Sequence, residues 1–127
     1  MGNRKQNVGK RGEDEACNYL TGLGHKIVQR NWRSGHLELD IISLSNNALH
    51  IVEVKTGSGG TSVDPLYRVG REKQRRLIRA ANAFLHSPMR AYLPADLDVY
   101  FDIISVVFEV PGPIIEYYPQ AFIPIYY

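Results

Sequence analysis

Two charged side chains stand two residues apart inside an apolar stretch, residues 49–55, of this 127-residue chain. They are Glu53 and Lys55, and side-chain alternation along a strand predicts that both lie on one face. A strand rich in Ile and Val is expected to be largely buried, where a charge is costly unless it is paired or binds a metal. Together with Asp40 on the preceding apolar stretch, the pattern predicts a site that binds a divalent cation and does chemistry on phosphate.

The relative positions of these acids depend on a predicted hairpin. Asn46 and Asn47 fit a tight turn between the two stretches, because Asn tolerates positive φ. With those two residues as the loop, Asp40 is expected directly across from Glu53, and Glu38 across from Lys55, on one face of the sheet. A register shift of one residue would move Asp40 to the other face, so the interpretation depends on that turn.

A third acid is predicted to approach from the first helix. Glu13 lies three and seven residues before Ala16 and Leu20, on the side of the helix expected to face the sheet. Mg²⁺ is usually held by one or two carboxylates and keeps several waters, so Asp40 and Glu53 are the predicted metal ligands. Lys55 is predicted to orient the water or to stabilise charge that develops on the phosphate.

A simpler interpretation is a cross-strand ladder of ion pairs on a solvated face of the sheet. For Glu53 and Lys55 alone, that interpretation is the commoner outcome. Asp40 opposite Glu53 counts against it, because like charges that face each other directly are destabilising. The catalytic interpretation therefore depends on the joint occurrence of the acids.

The elements that must position these side chains follow in the order α-β-β-β-α-β. The sequence predicts an α/β fold with a mixed four-stranded sheet flanked by helices, whose last crossover joins parallel strands. Residues 1–127 are expected to form one domain with a core over about 8–108; the tail 109–127 either adds an edge strand or covers apolar surface. The predicted helices span 9–23 and 70–87, and the predicted strands span 25–33, 37–44, 49–55 and 98–108.

Composition excludes several classes of protein. No apolar run reaches the roughly 20 residues that span a bilayer, so no membrane partner is expected. The single cysteine, Cys17, precludes an internal disulfide framework and suits a reducing compartment, which predicts a cytoplasmic location. The net charge of +2 neither requires nor excludes nucleic acid.

Basic residues cluster at the start of the second predicted helix. They could follow a phosphate backbone, which fixes the position of a nucleic acid without reading its sequence. The alternative is a solvated helix face, since Arg is a good helix former. The predicted nucleic-acid-binding residues are Arg68, Arg71, Lys73, Gln74, Arg75 and Arg76.

Six short motifs in order resemble those of the UPF0102 (YraN-like) family, over roughly residues 8–107. That family is similar to archaeal Holliday-junction resolvases, within the PD-(D/E)xK, restriction-endonuclease-like superfamily. The resemblance implies a nuclease fold with Asp40, Glu53 and Lys55 in the motif positions, Glu13 as the helix carboxylate and Gln74 near the site. The motifs are Gly12-Glu13, Asn31-Trp32-Arg33, Glu38-Leu39-Asp40-Ile41-Ile42, Val52-Glu53-Val54-Lys55-Thr56, Lys73-Gln74-Arg75-Arg76-Leu77 and Phe101-Asp102-Ile103.

The sequence thus predicts an endonuclease that uses Mg²⁺ or Mn²⁺ to hydrolyse DNA phosphodiesters, with branched or nicked DNA as candidate substrates. The alternative from another class is a nucleic-acid-binding module that keeps a nuclease-like fold without useful turnover. A third is a structural partner whose charged face is only an ion-pair ladder. The likeness to resolvases also suggests a homodimer, because symmetric cutting of two strands favours two sites related by a two-fold axis.

Overall fold

The computed structural model describes residues 4–58 and 68–124 as a mixed α/β fold with helices flanking one sheet. The predicted order of elements is confirmed, but the predicted count of four strands is wrong, because part of the tail adds a fifth. Residues 125–127 of the tail lie outside the described part. The elements are α1 (Arg4–Gly22), β1 (Lys26–Ser34), β2 (Leu37–Ser45), β3 (Ala48–Ser58), α2 (Arg71–Leu85), a 3-10 helix (Pro88–Tyr92), β4 (Asp98–Phe108) and β5 (Pro113–Phe122).

The sheet has the strand order β1-β2-β3-β4-β5, and only β3 and β4 are parallel. The predicted hairpin turn between β2 and β3 is confirmed. Asn46 and Asn47 have φ values of 52° and 61°, which a two-residue turn of this hand requires. The predicted register is confirmed next to the turn, where Ile42 pairs with Ile51.

Further from the turn, β2 and β3 separate. Their last paired residues are Ile41 and Val52, so the ladder ends one residue before Asp40 and Glu53. The predicted register is therefore correct, but the predicted direct pairing of Asp40 with Glu53 is wrong. The predicted pairing of Glu38 with Lys55 is also wrong, because the β2–β3 ladder ends before it reaches Glu38; on its other edge, Glu38 pairs with Arg33 of β1. Strand β3 stays paired with β4 as far as its end at Ser58. A gap therefore opens between two central strands.

The separation coincides with an irregular backbone conformation on β1. Asn31 has a φ of 50° and lies between the pairs that Arg30 and Trp32 make with β2. A left-handed residue interrupts the alternation of side chains. Accordingly Ile41 packs on the α1 side of the sheet, whereas Leu39, two residues away, packs on the α2 side.

Apolar side chains cover both faces of the sheet and bury it between the two helices. Such burial supplies most of the stabilising free energy of a domain of this size. Within residues 4–58 and 68–124, no helix is long and apolar enough to cross a membrane. The α2 side includes Leu39, Ile42, Leu49, Ile51, Leu77, Ile78, Phe84, Phe101 and Ile103, and the α1 side includes Ala16, Leu20, Ile41, Val52, Ile104 and Val106.

A buried carboxylate attaches the fifth strand. Asp102 has a fully buried side chain at an irregularity in the β4–β5 register. Its Oδ1 accepts from Gln120 N at 2.9 Å, and its Oδ2 accepts from the Tyr117 hydroxyl at 2.5 Å. His50 Nδ1 lies 2.6 Å from the same Oδ2. These contacts satisfy the buried charge and hold β5 as an edge strand.

Candidate active site

Asp40 lies near two other acidic side chains where β2 and β3 separate. Glu13 comes from α1, Asp40 from β2 and Glu53 from β3. Burial and the neighbouring Asp40 raise the pKa of Glu53 to about 8. Burial and the charge of Asp40 also raise the pKa of Glu13. Asp40 therefore interacts with each of the other two acids, and we take Asp40, with Glu13 and Glu53 beside it, as the candidate site.

Asp40 is oriented by the backbone of the neighbouring strand. Its Oδ2 accepts a hydrogen bond from Val54 N at 2.9 Å. This amide lies beyond the last paired residues of the β2–β3 ladder, so the carboxylate takes the place of a backbone acceptor. The Asp40 carboxylate therefore points towards β3, at the level where the two strands separate.

Glu53 is the most buried of the three acids, with 9% of its surface exposed. Its Oε2 is buried and has no aligned hydrogen-bond partner. Lys73 Nζ, from α2, lies 3.3 Å from that oxygen and forms an ion pair with it. A buried carboxylate oxygen without a hydrogen bond is costly, so this atom is available to a ligand that supplies positive charge.

Glu13 is held between basic and polar groups of β1. Arg30 forms an ion pair with it at 3.9 Å and a closer one with Asp14 at 2.8 Å. A hydrogen bond from the Asn31 side chain and the charge of Arg30 partly offset the rise in the pKa of Glu13. The Glu13 carboxyl group therefore holds a proton more readily than an exposed glutamate does.

A close contact between α1 and β3 brings Glu13 to the site. Gly12 is buried, and a Cβ atom added there would lie 1.9 Å from Cγ2 of Thr56. Only glycine permits this approach without a shift of the helix or the strand. The adjacent pair Gly12-Glu13 thus combines a contact residue with a site residue.

Lys55 makes a contact that the sequence did not predict. Its Nζ donates a hydrogen bond to the carbonyl oxygen of Arg68, just before α2. The ammonium group that pairs with Glu53 belongs instead to Lys73. Alternation along β3 still places Lys55 on the same side of the strand as Glu53, at the rim of the site.

Most of the predicted nucleic-acid-binding residues are exposed. Gln74 is the partly buried one among the six, and Arg68, Arg71, Lys73, Arg75 and Arg76 are exposed. Three of the six make side-chain contacts within the chain: Gln74 Nε2 donates to Val69 O at 2.9 Å, Arg75 lies 3.4 Å from Glu72, and Lys73 pairs with Glu53.

Sequence reasoning missed the positions of Lys73, Arg30 and Asn31 in the site. The position of Lys73 was recognisable from helical spacing, because it lies four residues before the buried Leu77 and therefore on the side of α2 that faces the sheet. Asn31 carried only a weak signal, an Asn inside a strand, and Arg30 carried none.

The carboxylate oxygens of Asp40 and Glu53 are of the ligand type that hard cations prefer. Among residues 4–58 and 68–124, no group of three or more His, Cys, Asp or Glu side chains is arranged to hold a metal ion. Asp40 and Glu53 form a pair, which is the number of carboxylates that Mg²⁺ commonly uses beside water and substrate oxygens. The buried Oε2 of Glu53, which has an ion-pair partner but no aligned hydrogen bond, fits such an ion.

The fold and site define a class, a mixed α/β protein with an acidic cluster between two separating strands of its sheet. The profile of the uncharacterised protein family UPF0102 matches residues 12–106, and the chain belongs to that family. A UPF0102 protein of Bacteroides thetaiotaomicron is 41% identical over 117 residues, 92% of this chain and 93% of that protein. A UPF0102 protein of Parabacteroides distasonis is 36% identical over 119 residues, 94% of each chain.

Proposed function

We propose that this protein is an endonuclease that uses Mg²⁺ or Mn²⁺ to hydrolyse DNA phosphodiesters, with Asp40 and Glu53 as metal ligands. The observation that supports it most is the buried Glu53 Oε2, which has no aligned hydrogen bond and lies next to a second carboxylate. Two adjacent carboxylates repel each other, and a divalent cation relieves both the repulsion and the cost of burial. Placement in the PD-(D/E)xK superfamily and similarity to resolvases are part of this proposal.

Each chain residue has a role that follows from its contacts. The Val54 amide holds the Asp40 carboxylate in place, and the ion pair with Arg30 holds Glu13. The bound ion would polarise a phosphate oxygen and lower the pKa of a coordinated water. Lys55 lies at the rim, where its ammonium group can exchange the Arg68 carbonyl for a phosphate oxygen.

Exposed arginines next to the site supply the contacts to the DNA backbone in this proposal. Arg68, Arg71 and Arg76 lie at or near the start of α2, which also carries Lys73 into the site. Contacts of this kind fix the position of a nucleic acid and depend strongly on salt. They suit a protein that recognises the shape of branched or nicked DNA, and a homodimer would present two such surfaces.

One observation favours the alternative, a nucleic-acid-binding module without useful turnover. The Lys55 ammonium group is bound to a backbone carbonyl, and the cation beside Glu53 comes from α2. In that alternative the acids are a structural cluster neutralised by Lys73, and the arginines alone carry the function.

A cleavage assay separates the two. Purified protein is incubated with linear, nicked, flapped and four-way DNA in Mg²⁺, Mn²⁺ or EDTA. The enzyme proposal expects metal-dependent cleavage that Asp40→Asn reduces by about 100-fold or more, because the variant loses a metal ligand. Asp96→Asn is the matched control, since Asp96 is exposed in the segment before β4.

The remaining outcomes are equally informative. Lys55→Ala is expected to lose cleavage while Lys26→Ala, at an exposed position of β1, retains it. DNA binding that survives both Asp40→Asn and Lys55→Ala, without cleavage by any variant, supports the binding module. Cleavage that persists in EDTA contradicts a metal-dependent mechanism. Sedimentation velocity with and without four-way DNA tests the homodimer.

A further inference from the structure

We propose that Lys73 is an intramolecular counterion of the acidic site. Its ammonium group occupies the position of the divalent metal until the metal displaces it. This inference rests on the proposed metal-dependent function. It assigns to α2 a role in metal binding, in addition to any contact that this helix makes with DNA.

The geometry of the ion pair carries the inference. Lys73 Nζ lies 3.3 Å from Glu53 Oε2, yet that buried oxygen has no aligned hydrogen bond. The ammonium group lies beyond the usual range of short N–H···O hydrogen bonds, so charge more than a short directional bond holds it beside the carboxylate. A cation that is held mainly by charge is readily exchanged for a stronger one.

Lys73 and Glu53 differ in solvent exposure, so the Lys73 head group can move into solvent. The Lys73 side chain is 47% exposed, whereas that of Glu53 is 11% exposed. A long, half-exposed lysine can withdraw its head group into solvent while its stem stays on the helix. Glu53, on a central strand, stays in place.

The balance of charge favours exchange. When Asp40 and Glu53 are both ionised, one ammonium group compensates one of the two carboxylates, and a divalent ion compensates both. Lys55 does not occupy this position, because its ammonium group donates to the Arg68 carbonyl. After exchange, Lys73 lies beside a neutralised site at the start of α2, with its charge available to a phosphate.

Calorimetric titration with Mg²⁺ tests the competition directly. We expect Lys73→Met to bind Mg²⁺ about three- to tenfold more tightly than the wild-type chain, since a partly exposed ion pair no longer has to be broken. Arg79→Met is the matched control, because it removes one positive charge from an exposed position of the same helix. The titration is run at about pH 9 in two buffers of different ionisation enthalpy, because Lys73 lowers the raised pKa of Glu53 and its removal changes the number of protons that Mg²⁺ releases.

The wild-type chain provides a second test that needs no substitution. We expect saturating Mg²⁺ to increase the rate at which an amine-acetylating reagent modifies Lys73 by about threefold or more, because the released ammonium group loses its carboxylate and gains a nearby cation. Lys26, exposed on β1, should be modified at an unchanged rate. Mass spectrometry of proteolytic fragments measures both rates.

The outcomes separate this inference from the proposed function. Mg²⁺ affinity of Lys73→Met equal to or weaker than that of Arg79→Met, or Lys73 acetylation that Mg²⁺ leaves unchanged, overturns the counterion role while metal binding stands. A wild-type chain that binds no Mg²⁺ overturns both the proposed metal site and the counterion role.

Discussion

Replacing Gly12 with alanine is expected to destabilise the protein, although alanine is the better helix former. In an exposed helix interior the change would stabilise by about 1 kcal/mol. Here the new Cβ would lie 1.9 Å from Thr56 Cγ2, where carbon atoms normally approach to about 3.5–4.0 Å. Overpacking of a well-packed contact costs about 1–3 kcal/mol, and so large an overlap belongs at the upper end. The net loss is about 1–2 kcal/mol.

Thermal unfolding measures this loss. For a chain of this size we expect the melting temperature of Gly12→Ala to fall by about 5 °C or more. Thr56→Ser removes the Cγ2 atom and keeps the hydroxyl, so the double variant should recover most of the loss. The expected coupling energy between the two positions is about 1 kcal/mol or more.

The result that would refute this reasoning is specific. If Gly12→Ala melts at or above the wild-type temperature, α1 does not approach β3 as closely as described. If Thr56→Ser leaves the cost of Gly12→Ala unchanged, the clash does not involve the Thr56 methyl group. Either result would also remove the stated reason why Glu13 reaches the site.

Three other variants test separate parts of the structure. Because the folded-state pKa of Glu53, about 8, lies above the ordinary 4.5, the folded state keeps a proton that the unfolded state releases. The free energy of unfolding without metal should therefore fall as pH rises between those values. Urea unfolding should show a smaller fall for Glu53→Gln and an unchanged fall for the control Glu72→Gln, at an exposed position. Asp102→Asn should lower the free energy of unfolding by about 2–3 kcal/mol and speed amide exchange in β5, because the Tyr117 hydroxyl and Gln120 N lose a buried charged acceptor. Equal stability of Asp102→Asn and of the exposed control Asp98→Asn would contradict this. Asn47→Gly should stabilise by about 0.5 kcal/mol in thermal melts, since φ is 61° there, and a lower melting temperature would argue against the described turn.

The element order and the central hairpin were predictable because local patterns dominate them. Alternating or continuous apolar runs predict strands, and two Asn residues predict a turn of positive φ. The fifth strand was not predictable with the same certainty. Residues 113–122 are half-buried and contain two prolines, and their pairing depends on the buried Asp102 of β4.

The sequence pointed to the acids but not to the basic side chains that contact them. Glu13, Asp40 and Glu53 are each recognisable as a charge at an apolar or buried-stripe position. The sequence placed Lys55 opposite Glu38 and Lys73 among the residues that bind nucleic acid, whereas Lys73 contacts Glu53 across the space between sheet and helix. A contact over 20 residues of sequence separation depends on how α2 packs, which periodicity alone does not specify.

By itself, the sequence determined which residues carry charge, which segments form helices or strands, and that Asn46-Asn47 sets the register beside the turn. Only the tertiary structure decided where that register ends. A left-handed Asn31 and an Asp40 carboxylate that accepts from Val54 N separate two central strands after Ile41. Strand alternation is a local property of the backbone, so the sequence predicts it. The separation of β2 and β3 beside the acids results from competition between ladder hydrogen bonds and side-chain contacts on both faces of the sheet.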